Sequence, residues 1–205
     1  MLEVNNLECI RGARTLFSNL NFSVQPGTFL QLTGPNGSGK TSLLRMICGL
    51  LAPTQGEIRW QGANIRALGE EYFSALTYIG HRNGLKEELS PLENLRISNG
   101  LAGVHVSLRG CRGILQTMGL AGQENLRARL LSEGQRRRSA LARLLVRKSA
   151  MWLLDEVFTS LDSTAVALVK SLVEGHLSSG GMAIVATHQE LDIRAGSFRR
   201  LELAS

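Results

Sequence analysis

The eight residues Gly34-Pro35-Asn36-Gly37-Ser38-Gly39-Lys40-Thr41 constrain the fold more than any other part of the chain. They form a G-x-x-x-x-G-K-T element between an apolar stretch of strand length at 29–33 and the helical pattern Ser42-Leu43-Leu44-Arg45-Met46-Ile47. The chemistry needs that context. Glycines let successive backbone N–H groups converge on phosphate oxygens, and the helix that follows turns its positive end to the same point. A strand must therefore end, a loop curl and a helix begin within a few residues, which demands an α/β layer. Lys40 is expected to reach the β- and γ-phosphates of a nucleotide, and Thr41 to hold Mg²⁺ through its hydroxyl.

The rest of the chain agrees with such a layer. Apolar segments of strand length at 2–10, 20–24, 29–33, 57–60, 76–80, 151–155, 182–187 and 198–203 alternate with helix-length segments, the pattern of an α/β fold with a largely parallel sheet. Those at 29–33, 151–155 and 182–187 read as buried, whereas the first and fourth alternate polar and apolar and are expected to form an antiparallel edge sheet. Between about 84 and 147 the strands stop and helical patterns take over. Ser90-Pro91-Leu92-Glu93 reads as a capping box with proline at the first helical position, and Ser132-Glu133-Gly134-Gln135 has the same Ser-x-x-Gln form. The expected organisation is a single domain over 1–205 with an inserted helical lobe at 84–147.

A chain of 205 residues with 43% hydrophobic and 20% charged residues buries a real core, which excludes collagen-like, mucin-like and mostly disordered chains. No stretch approaches the roughly 18 consecutive apolar residues of a bilayer-spanning helix. The N-terminal Met1-Leu2-Glu3-Val4-Asn5 has neither a basic nor an apolar leader region, which argues against secretion. Cys9, Cys48 and Cys111 are odd in number and widely spaced, so a reducing compartment and buried structural thiols are expected. The net charge of +6 is local: residues 127–148 carry eight basic side chains against the single acid Glu133. That patch reads either as the solvated face of one helix or as a contact for an anionic partner. No aromatic residues interleave it to stack on bases, and a nucleic-acid role is not expected.

A second half for a phosphoryl-transfer site stands at the end of another buried strand, in Met151-Trp152-Leu153-Leu154-Asp155-Glu156. Asp155 is placed to support Mg²⁺ and Glu156 to polarise an attacking water. A third polar group ends a third buried strand in Ala183-Ile184-Val185-Ala186-Thr187-His188, where the imidazole would donate to the γ-phosphate or serve structure alone.

Together with Leu131-Ser132-Glu133-Gly134-Gln135, these spacings resemble the ATP-binding cassette family over essentially the whole chain. The resemblance implies a P-loop NTPase core with a mostly parallel sheet, an antiparallel edge sheet and a helical lobe. It also implies that Ser132, Glu133, Gly134 and Gln135 cap the ATP of an opposing subunit from a helix N-terminus, and that Ser160 and Asp162 of Thr159-Ser160-Leu161-Asp162 communicate across the dimer. The active unit would then be two copies with two sandwiched nucleotides.

Closer comparison narrows the likeness. Tyr78-Ile79-Gly80-His81-Arg82-Asn83-Gly84-Leu85-Lys86, Leu89-Ser90, Glu93-Asn94-Leu95, Thr187-His188-Gln189 and Arg11-Gly12 with Leu16-Phe17 resemble the ATP-binding subunits of heme exporters in bacterial cytochrome c maturation. His81 falls where most cassettes carry a glutamine that senses Mg²⁺ and the permease. Arg11, with Thr15 nearby, falls where many have an adenine-stacking aromatic; its guanidinium would stack on the base, or bind phosphate or solvent. Glu133 occupies a slot that is often glycine, and Val157 one that is usually proline.

The resemblance implies an ATPase using ATP and Mg²⁺, coupled to integral-membrane permease subunits of the heme-exporter type and peripheral on the cytoplasmic face of the bacterial inner membrane. Alternatives are the motor of another small exporter, such as one for lipoprotein or lipid release, a nucleic-acid-associated ATPase, or a scaffold that binds ATP without turnover. No direct heme binding is expected, because there is no CxxCH and His81, His105, His176 and His188 lack a ligand pairing. The chain ends at Leu201-Glu202-Leu203-Ala204-Ser205 without an accessory module, so regulation is expected from partners.

Overall fold

A computed structural model describes residues 1–203. In chain order the elements are β1 (Leu2–Arg11), β2 (Arg14–Val24), β3 (Thr28–Thr33), α1 (Lys40–Ile47), β4 (Gln55–Trp60), β5 (Ala63–Asn64), α2 (Ile65–Leu68), α3 (Glu70–Ala75), β6 (Leu76–Ile79), α4 (Pro91–Leu101), α5 (Leu108–Thr117), α6 (Glu133–Leu141), β7 (Met151–Asp155), α7 (Ser163–Ser178), β8 (Met182–Ala186) and β9 (Ser197–Glu202). Short 3-10 turns lie at Ala128–Leu130 and Ala142–Leu145. The chain divides into two compact units: one of Met1–Tyr78, Ser149–Glu156 and the described residues from Leu172 onward, the other of Ile79–Lys148 and Val157–Ser171.

The first unit holds two sheets. In the five-stranded sheet, ordered β6-β7-β8-β3-β9, the pairs β7/β8, β8/β3 and β3/β9 are parallel. Its inner strands β7 and β8 are buried at every residue and β3 at all but its last, as continuous apolar runs require when both faces of a sheet are covered. Leu43, Leu44, Met46 and Ile47 of α1 pack into one core with Leu30, Leu32, Leu153 and Ile184. Each such side chain contributes on the order of 1.5–3 kcal/mol by leaving water. The helix that begins at the phosphate loop is thus anchored by its apolar face.

The antiparallel sheet has the order β2-β1-β4-β5, and β1 pairs on both sides. It is larger than the sequence suggests. The second strand begins at Arg14 rather than near residue 20, and the two-residue β5 joins the edge. The β1–β2 ladder slips register several times, and Asn6 and Asn19 take left-handed backbone angles, so the alternation that marks a strand is broken there.

In the second unit both capping boxes form. Ser90 accepts from the Glu93 amide while the Glu93 carboxylate accepts from the Ser90 amide, with Pro91 opening α4; Ser132 and Gln135 do the same for α6. Buried Asn94 ties the preceding loop to α4, accepting from the Lys86 amide and donating to carbonyls of Lys86, Leu89 and Ser90. No helix among the described residues is long and apolar enough to cross a membrane.

All three cysteines are buried, and burial pushes their thiols up, Cys48 to about 12 with help from the Asp155 carboxylate. At pH 8 the native protein should therefore resist iodoacetamide at all three, and urea should release all three to labelling, as read by intact mass. His176 stacks on Trp152 at 4.0 Å and bonds the Met182 carbonyl, and burial lowers its pKa from 6.5. The neutral ring is the folded form, so this contribution is present above pH 6.5 and lost as pH falls below it. The urea midpoint should drop between pH 7.5 and 5.5, and His176→Phe should flatten that drop.

Candidate functional site

In the first unit β3 delivers the chain into the phosphate loop and α1 leaves it. Gly34, Gly37 and Gly39 all have positive φ, at 134°, 81° and 100°. Glycine is needed at 34 and 39 for space as well: a Cβ at 34 would collide with the Leu203 carbonyl, and one at 39 would meet the Phe17 ring at 3.0 Å. Among the described residues no side chain caps α1, so its first N–H groups are available to a ligand. The Lys40 ammonium donates to the Gly34 carbonyl at 2.7 Å and the Pro35 carbonyl at 3.1 Å, closing the loop on itself and leaving its third hydrogen unused by these two bonds.

At the end of β7, Asp155 is buried, and its Oδ1 accepts from the Thr41 hydroxyl at 3.2 Å. Its Oδ2 is buried with no hydrogen-bond partner among the described residues. An uncompensated carboxylate oxygen beside a hydroxyl is a costly arrangement that a divalent cation would offset, and oxygen donors of this kind suit Mg²⁺. The residues present fit that ion.

Glu156 sits one residue further, in the left-handed backbone region at φ 52°, with its amide tied to the Ala186 carbonyl at 2.9 Å. A non-glycine residue held in that conformation is strained and is kept so only by its surroundings. Its carboxylate is 18% exposed and lies 3.5 Å from Nε2 of His188, which is itself half-exposed and 3.1 Å from Oδ1 of Asn36. Both facing atoms are acceptors, so Nε2 carries the hydrogen. The ends of β7 and β8 therefore bring Glu156 and His188 to the phosphate loop through Asn36, a link that spacing alone does not reveal.

Arg11 and Thr15 lie exposed at the end of the β1–β2 hairpin, where Arg11 pairs with Arg14 and Ile10 with Thr15 across the turn at Gly12. Arg14, which the motif comparison passes over, lies against the phosphate loop: a Cβ on Gly37 would stand 3.6 Å from its Nη1.

The second unit contains a separate constellation. Ser132 is the N-cap of α6, and a Cβ at Gly134 would stand 2.8 Å from the Ser160 carbonyl. Ser160 also has positive φ, at 64°, and Asp162 caps α7 by accepting from the Ala165 amide at 2.8 Å. The Glu133 carboxylate accepts from Asn83 at 3.0 Å and from Arg136 at 2.9 Å, which holds it below the usual carboxylate range, with the Arg136 bond the larger cause. His81 is exposed at its side chain. Its carbonyl, with that of Gly80, accepts from the guanidinium of buried Arg137, a connection between the α6 helix and the His81 segment that sequence reading missed.

The basic segment is largely occupied by such internal donations. Arg138 reaches the Gly119 carbonyl, Arg143 the carbonyls of Ala140 and Asn83, and Arg127 and Arg129 stand 3.5 and 3.7 Å from Glu88.

Residues 17–159 match the ABC transporter family. A cytochrome c biogenesis ATP-binding export protein (CcmA) from Nitrosospira multiformis is 54% identical, with 98% of this chain and 98% of that protein covered. The protein of the same name from Nitrosomonas europaea is 53% identical over 100% of this chain and 96% of its own length. Among solved structures, the dimeric bacterial ABC transporter cassette MJ0796 superimposes with a TM-score of 0.86 at 24% identity, covering 100% of this chain and 94% of that one, and shows the fold.

The approach of Gly134 to Ser160 can be tested by contrast with Gly113 in α5, where an added Cβ would meet nothing within 4 Å. Gly134→Ala should cost about 1–3 kcal/mol in urea unfolding because a backbone carbonyl must move, while Gly113→Ala should stabilise by roughly 0.5–1 kcal/mol.

Proposed function

The chain belongs to the ABC transporter family and is an ATPase of that family; we propose that it drives an export complex of cytochrome c biogenesis, with heme or a heme-loaded chaperone as the cargo handled by its membrane subunits. Near-full-length identity above 50% to proteins named for that process carries the reading, and the site described above supplies its chemistry. In the proposed cycle the phosphate loop and α1 bind the β- and γ-phosphates through backbone N–H groups and Lys40. Thr41 and Asp155 would hold Mg²⁺, which neutralises phosphate charge when bound. Glu156 takes a proton from the water that attacks the γ-phosphorus as the bond to the β-phosphate oxygen breaks, leaving ADP and inorganic phosphate. His188 donates from Nε2 to a γ-phosphate oxygen.

Each site is completed by a second copy of the chain, whose Ser132, Glu133, Gly134 and Gln135 present a capped helix N-terminus to the same γ-phosphate. Ser160 and Asp162 carry the contact between copies, and His81 stands where the permease and the metal are sensed. Arg11 and Thr15 approach the base. Helical residues 84–147 form the lobe that meets the permease subunits, which places the chain on the cytoplasmic face of the inner membrane. Hydrolysis then separates the copies, and that separation is the work delivered to the membrane partners.

Glu156→Gln should reduce ATP turnover by about 10²–10⁴-fold while leaving ATP affinity within a few-fold of wild type. Phosphate release and equilibrium titration check the two halves of that statement. Capture of the same variant from its native membranes with ATP and Mg²⁺ should recover heme-handling membrane subunits. Recovery of a different permease would keep the motor and discard heme.

A further inference from the structure

We propose that Arg14 is a further ligand for the phosphate chain of the nucleotide, contributed by the β1–β2 hairpin to the phosphate loop. The inference rests on the ATP-binding reading above and adds to it a side chain from outside the loop.

Three observations carry it. First, a Cβ on Gly37 would stand 3.6 Å from Nη1 of Arg14, so the guanidinium lies directly against the turn whose backbone amides form the phosphate cradle. The neighbouring Leu16 and Phe17 of β2 pack against the same loop, where a Cβ on Gly39 would stand 3.2 Å from Leu16 and 3.0 Å from the Phe17 ring. Secondly, Arg14 is exposed and, among the described residues, its guanidinium donates no hydrogen bond and meets no carboxylate, unlike those of Arg136, Arg137, Arg138 and Arg143. Thirdly, the hairpin register sets Arg14 directly opposite Arg11. Two like charges facing each other across an antiparallel pair repel, and an anion between or beside them removes that cost.

A guanidinium presents a planar fork of donors that matches two phosphate oxygens at once, and it stays charged at any working pH. Arg14 therefore extends the cradle on the side of Gly37, while Lys40 serves it from within the loop. This also divides labour along the hairpin: Arg14 faces the phosphates, and Arg11 remains available to the base.

The test is equilibrium titration of the full chain with ADP and with inorganic tripolyphosphate, for wild type, Arg14→Ala, Arg14→Lys and Lys40→Ala. Arg14→Ala is expected to weaken both ligands by about tenfold, with the loss shrinking as salt is raised and Arg14→Lys recovering part of it. The thermal midpoint without ligand should not move. Unchanged affinity for both ligands in Arg14→Ala, with binding lost in Lys40→Ala, would overturn the role of Arg14 and leave the nucleotide site standing. Weaker ADP with unchanged tripolyphosphate would make Arg14 a contact to the base or ribose and overturn the proposal. Full ADP affinity in Lys40→Ala would overturn the nucleotide-site reading itself.

Discussion

A loop that binds phosphate must keep its amides pointed inward and unpaired, and no ordinary turn does that at low cost. Here the cost is met by three glycines at positive φ and by the anchoring of both flanks in one apolar core. Neither flank can shift freely: β3 is buried between β8 and β9, and α1 is held by Leu43, Leu44, Met46 and Ile47. Lys40 then closes the loop from inside by donating to its carbonyls. The polar side chains of Thr41, Asp155, Glu156 and His188 gather around that loop. Parallel strands end on the same side of their sheet, so β7 and β8 present Asp155, Glu156 and His188 where β3 presents the loop.

The polar groups at that edge are under-satisfied in a consistent way. Among the described residues Asp155 has one oxygen on Thr41 and one buried without a partner, and the hydroxyl of Ser38 is also buried and unpaired. Glu156 is held in a strained backbone conformation rather than a relaxed one. The absence of proline after Glu156 does not leave it loose, because its amide is fixed to the Ala186 carbonyl and Val157 is fully buried. Stability is given up here and recovered in the covered sheet, which is the usual distribution in a site built to bind charge.

What could be read from the sequence was local. The phosphate loop, the buried runs at 29–33, 151–155 and 182–187, and the capping boxes at Ser90 and Ser132 are each specified by a few consecutive residues, and each stands where the pattern put it. The beginning of β2 and the short β5 were not legible, because they exist through pairing with β1 and β4 across bulged register. The same limit hid Arg14 and Arg137. A surface arginine and one basic residue in a run of three look alike in sequence. Only the fold sets one against Gly37 and buries the other under the carbonyls of Gly80 and His81.

In the proposed assembly each working site takes its phosphate loop from one chain and its capped α6 terminus from another. Mixing two inactive variants tests it most directly: Glu156→Gln, which disables the loop side, and Ser132→Arg, which blocks the capping side. In a mixed dimer one site carries both lesions and the other carries neither, so ATP turnover should reappear when the two inactive proteins are combined before nucleotide is added. A mixture as inactive as its components, while differently tagged copies co-purify through both tags and so show that mixed dimers have formed, would contradict the account.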